Sequence, residues 1–124
     1  SGSSPNPTPA PTVAATPQVL LQTTWQLVGS GSTQSFPISV PAAGTLTATV
    51  DWTLASDDVD LFLLGASGNL ITSAESATTK PERISTPVSA GTHTVRVLFF
   101  GLTNGVLTPT GRESGTVQVV FTRQ

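Results

Sequence analysis

Thr45-Leu46-Thr47-Ala48-Thr49-Val50-Asp51-Trp52-Thr53-Leu54 alternates without a break. Leu46, Ala48, Val50, Trp52 and Leu54 share one parity; Thr45, Thr47, Thr49, Asp51 and Thr53 share the other. Side chains at i and i+2 leave a strand on the same side, so this stretch predicts a half-buried β-strand with a hydroxyl-bearing outer face. The same period recurs downstream. His93, Val95, Val97 and Phe99 alternate with Thr94, Arg96 and Leu98, and Val117, Val119 and Phe121 alternate with Gln118, Val120 and Thr122. No window from residue 19 onward sustains the i, i+3, i+4, i+7 apolar spacing of a helix. Turn chemistry separates the runs: Pro41 to Gly44, Gly65 to Asn69, and Pro87 to Gly91. About eight strands result, near 20–28, 33–40, 45–54, 59–64, 69–73, 82–86, 92–100 and 116–122, with a hairpin joining the fourth to the fifth. Many short strands with no helix between them predict an all-β, antiparallel, jelly-roll-like sandwich. The segment 101–115 reads as a long loop.

The first charged residue is Asp51. Residues 1–18 hold five of the ten prolines among Ser, Thr and Ala, which predicts a semi-extended spacer ahead of a domain over 19–124. Across the 124 residues only 10% are charged, against 21 Thr and 14 Ser. Polarity therefore comes from hydroxyls. A net charge of −2 lacks the clustered Lys and Arg that nucleic acid requires. With no cysteine there is no disulfide framework and no thiolate metal site. No apolar run approaches the ~20 residues of a membrane helix.

The order of Ser35-Phe36-Pro37-Ile38-Ser39-Val40, Gly44-Thr45-Leu46 and Asp51-Trp52, followed by Asp57-Asp58-Val59-Asp60-Leu61-Phe62-Leu63-Leu64 and Gly68-Asn69, is informative. So are Glu82-Arg83-Ile84, Ala90-Gly91-Thr92-His93-Thr94-Val95-Arg96-Val97 and the closing Val117-Gln118-Val119. Over roughly residues 30–122 this resembles the bacterial pre-peptidase C-terminal domain and the related collagen-binding domains of clostridial collagenases. The resemblance implies a secreted, jelly-roll-like module that is appended to proteases and other exported enzymes and is not itself catalytic. The family often carries Tyr where His93 stands, and an aromatic, often Tyr, where Phe62 stands. Collagen-binding relatives use exposed tyrosines, and this chain has no Tyr, so collagen is not an implied ligand. Some relatives bind calcium through an acidic segment just before the domain. Here that segment is the uncharged spacer, so that site does not carry over.

Three groups of residues invite a chemical reading. Asp57, Asp58 and Asp60 could supply part of a calcium shell, since calcium takes six to eight oxygens. Alternation sends Asp58 and Asp60 to one side and Asp57 to the other, with Asp51 and Glu82 as distant additional acids. The competing reading is a turn whose aspartates bond local amides, and no cofactor is expected. His93, the one histidine, lacks any nucleophile-elbow context and reads as a packed core-edge residue. Glu82-Arg83 reads as a surface pair. Phe62, Leu64, Arg96, Leu98 and Phe100 fall on outward parities and form a candidate binding face for polysaccharide or extracellular protein.

The expected function is a non-catalytic accessory or binding module of a secreted or cell-surface bacterial protein, monomeric as an isolated domain. It would serve attachment to a substrate or surface, or export and stability of a parent hydrolase. The alternative is a stand-alone secreted or lipid-anchored surface protein. A hydrolase is disfavoured by the shortage of titratable groups.

Overall fold

The computed structural model describes residues 15–102 and 111–124. Eight strands follow in order: β1 Gln18–Val28, β2 Thr33–Val40, β3 Gly44–Trp52, β4 Asp57–Leu64, β5 Leu70–Ala74, β6 Glu82–Val88, β7 Gly91–Leu102 and β8 Arg112–Arg123. They form two four-stranded sheets, β1-β8-β3-β6 and β2-β7-β4-β5. Every neighbouring pair is antiparallel. Successive strands pass from one sheet to the other except at the β4–β5 hairpin, as in a jelly roll. Its turn is closed by Gly65 N–H donating to Asn69 O, with Gly68 at φ 83°, a conformation glycine tolerates without cost.

Alternation along β3 becomes the core directly. Leu46, Ala48, Val50 and Trp52 are buried and meet Val59, Leu61 and Leu63 of β4 and Val95, Val97 and Phe99 of β7. Each fully buried aliphatic or aromatic side chain contributes roughly 1.5–3 kcal/mol of transfer free energy, so this inner layer holds the sheets together. Trp25 and Trp52 lie on either side of Gly115 in the strand register. A Cβ at Gly115 would run into the Asp51 carbonyl oxygen and the Trp52 Cα, so glycine there permits close approach of β3 and β8.

Several expectations shift. Leu54 lies beyond the end of β3 and is exposed, because the strand stops at Trp52 and its period lapses. The ends of the expected 101–115 loop belong to strands: β7 runs to Leu102 and β8 starts at Arg112, while 103–110 lie outside the described residues. The expected spacer falls on 1–14, also outside the described residues, and on 15–17, with Gln18 already opening β1.

Candidate metal centre

The entrance to β4 carries the densest charge in the chain. Pairing with β5 begins only at Leu61↔Ala74, so Asp57 to Asp60 have no β5 neighbour. The connection after β5 crosses there to the other sheet and delivers Glu82 as the first residue of β6. On the other side of β4 the register passes from Asp58↔Gly101 to Val59↔Phe99, which leaves Phe100 as an extra residue in β7. The bulge bends the ladder locally, as such insertions do.

Asp58, Asp60 and Glu82 converge. One carboxylate oxygen from each lies within 4.8 Å of the other two, and the residues are 6%, 4% and 2% exposed. Asp58 Oδ1, Asp60 Oδ1 and Glu82 Oε1 are buried and meet no hydrogen-bond donor. Among the described residues the one salt bridge is Lys80 Nζ to Asp51 Oδ1 at 2.8 Å, on the outside of β3, so none of them forms a salt bridge with the cluster. Burial pushes the Asp60 carboxyl up to about 7, helped by the charge of Asp58, a hydrogen bond to it, and the charges of Glu75 and Glu82. Burial also raises Asp58, against the lowering effect of its hydrogen bond with Asp60. Glu82 is raised by burial and by the Asp58 charge, and the Ser76 backbone N–H that it accepts works the other way.

Asp57 goes elsewhere. Both its oxygens are buried without an N–H or hydroxyl donor, and its carboxyl faces Glu113. Burial, then the hydrogen bond with Glu113 and the Glu113 charge, push Asp57 up to about 7, so below neutral pH it holds its proton and donates to Glu113. Glu113 is a buried anchor, 4% exposed. Its Oε1 accepts from Thr53 N–H (3.0 Å) and Ser114 N–H (2.8 Å), and its Oε2 accepts from Leu54 N–H (3.2 Å). Burial alone would raise its pKa; the bonds from Asp57 and the three amides outweigh burial and lower it. Trp52 Nε1–H donates to the Asp57 carbonyl at 3.2 Å, tying the β3–β4 turn to the core.

Of the three aspartates named from sequence, the fold therefore unites Asp58 and Asp60 with Glu82 and diverts Asp57 to Glu113. Glu82-Arg83 is not a surface pair: Arg83 is exposed, whereas Glu82 is buried. Parity carried the signal, because Glu82 alternates in step with buried Ile84 and Val88. Glu113 likewise shares the parity of Val117, Val119 and Phe121. His93 is buried at the core edge, with Nδ1 3.1 Å from the Gly91 carbonyl oxygen.

The candidate binding face is uneven. Phe62 pairs across the sheet with Arg96, whose Nε–H donates to Ser35 Oγ at 3.0 Å. Phe62, Arg96 and Leu98 are half-buried, and Leu98 stands opposite Asp60. Phe100, the bulged residue, is 60% exposed. Leu64 is 8% exposed, so it packs beneath this face and offers a ligand little contact.

The outer face of the other sheet was not singled out by the sequence. Its register aligns Gln22, Gln118, Thr49 and Arg83 in one row across all four strands, and Thr24, Thr116 and Asp51 in the next. Two adjoining shallow depressions share Thr49, Pro81 and Gln118 and make a groove across these rows.

Two all-antiparallel sheets with this crossover pattern define a jelly-roll module. The family model for the bacterial pre-peptidase C-terminal domain matches residues 32–98, and the chain belongs to that family. No curated protein sequence matches the chain. Among solved structures, the pre-peptidase C-terminal domain of Bacillus anthracis collagenase is similar at TM-score 0.58 and 14% identity, covering 82% of this chain and 87% of that one. The periplasmic g-type lysozyme inhibitor PliG of Aeromonas hydrophila is similar at 0.53 and 11% identity, covering 86% and 87%. A family 35 carbohydrate binding module from Clostridium thermocellum is similar at 0.50 and 10% identity, covering 85% and 98%. At these identities the structural likenesses establish the fold.

Proposed function

We propose that this chain is a non-catalytic attachment module of an exported bacterial protein, binding polysaccharide along the groove on the outer face of β1-β8-β3-β6. The observation that carries the reading is the four-strand row Gln22–Gln118–Thr49–Arg83 beside Thr24–Thr116–Asp51. Adjacent strands are ~4.8 Å apart, so a four-strand row extends over roughly 14 Å. Side-chain amides, hydroxyls, a guanidinium and a carboxylate on a rigid sheet can donate to and accept from successive sugar hydroxyls. The Clostridium thermocellum neighbour is a carbohydrate binding module with the same architecture, and family membership supports an accessory role.

A glycan array with the isolated chain tests this, followed by titration of the best ligand against Gln118→Ala and Phe100→Ala. Loss of binding in Gln118→Ala with retention in Phe100→Ala is expected. The reverse pattern assigns binding to the Phe62–Arg96–Phe100 face, and silence across the array overturns the polysaccharide reading.

A further inference from the structure

We propose that Asp58, Asp60 and Glu82 hold one calcium ion that pins the entrance of β4 to the start of β6. The site is built from both sheets, since β4 lies in β2-β7-β4-β5 and β6 in β1-β8-β3-β6. The ion would thus clamp the sandwich at an end where no β5 pairing supports β4. It is separate from the sugar-binding groove and does not depend on it.

Three observations converge. The first is the oxygen cage: three carboxylate oxygens lie mutually within 4.8 Å. Calcium binds oxygens at about 2.4 Å, so three oxygens this close together can share one ion, and three protein carboxylates at one buried point suit calcium, whereas magnesium usually keeps several waters. The second is the state of the oxygens: Asp58 Oδ1, Asp60 Oδ1 and Glu82 Oε1 are each buried without a donor. Buried polar atoms are nearly always satisfied, and a buried carboxylate oxygen left with neither donor nor cation carries a desolvation penalty. The third is the missing counter-charge, because among the described residues the salt-bridging lysine, Lys80, is committed to Asp51. A hard divalent cation satisfies all three oxygens together, with water and backbone carbonyls completing the shell. Asp57 stays outside, as its carboxyl is engaged with Glu113. Glu75, whose charge is felt at Asp60, adds negative potential to the approach. The competing state is a proton-sharing acid cluster, which would show no response to calcium.

The test is thermal unfolding of the chain in EDTA, in millimolar calcium and in millimolar magnesium, with calorimetric titration of calcium into the metal-free wild type. One calcium per chain is expected. The midpoint should rise by about 10 °C when calcium exceeds its Kd 100-fold, with a smaller rise in magnesium. Asp60→Asn and Glu82→Gln should abolish the rise, whereas Asp51→Asn keeps it. In EDTA both cluster variants should melt at or above the wild type, because each removes a like charge. Equal wild-type midpoints in EDTA and calcium, or no heat of binding, would overturn the proposal. So would a calcium response that survives in Glu82→Gln and Asp60→Asn, and an equal rise in magnesium would overturn the choice of ion. The wild-type titration decides even if a variant fails to fold.

Discussion

Replacing Glu113 with alanine probes how the turn between β3 and β4 is held. The Glu113 carboxylate accepts three backbone N–H groups, from Thr53, Leu54 and Ser114, and a hydrogen bond from the Asp57 carboxyl. Hydrogen bonds to a charged group contribute roughly 1.5–3 kcal/mol each, and water can reach part of this site to recover some of that. The expected loss in Glu113→Ala is therefore about 3–5 kcal/mol, against a total stability of ~5–15 kcal/mol for a domain of this size. Glu113→Gln retains one oxygen but turns an amide N–H₂ toward one set of donors, so it should lose roughly 1–3 kcal/mol. Urea unfolding followed by far-UV circular dichroism measures both. With a slope near ~2 kcal/mol/M the alanine midpoint should fall by about 2 M. Amide exchange gives the local reading: protection at Thr53, Leu54 and Ser114 should drop together. A Glu113→Ala protein within about 1 kcal/mol of the wild type, or one with unchanged protection at those amides, would refute the anchoring role.

The same residue sets a pH limit. Its folded pKa is lowered from 4.5, so its contribution is fully present above that value and is lost as pH falls through the lower folded value. Acid unfolding curves should show this limb in the wild type and a flatter one in Glu113→Gln. Trp52→Ala should cost roughly 3–5 kcal/mol by urea titration, because the ring is buried, donates to the Asp57 carbonyl and lies 5.6 Å beneath Lys80 Nζ. Wild-type stability there would contradict the packing. Gly115→Ala should cost roughly 3 kcal/mol or more, since its methyl must displace backbone of β3. An unchanged melting curve would show that β3 and β8 can separate freely. Lys80→Ala should change stability by at most ~1 kcal/mol, and a larger loss would mean that its ion pair and ring contact matter more than exposed pairs usually do.

Strand identity was legible because a strand needs only a period of two and a turn at each end, and both are local. Leu46, Ala48, Val50 and Trp52 announce their inner face by parity alone, and β2 and the β4–β5 hairpin stand where their turn residues place them. The family could likewise be read from motifs contiguous in the chain, such as Asp57 to Leu64. The partners of the acids were not legible. Alternation already separates Asp57 from Asp58 and Asp60, but it does not show that the one pairs with Glu113 from β8 and the two meet Glu82 from β6. Those partners arrive from strands far along the chain and from the opposite sheet, so their approach depends on sheet order and on where pairing with β5 stops. Register works the same way on the outer surface. Alternation shows that Thr49 and Gln118 point outward, but only antiparallel pairing across β1, β8 and β3 sets them side by side with Gln22 in one row.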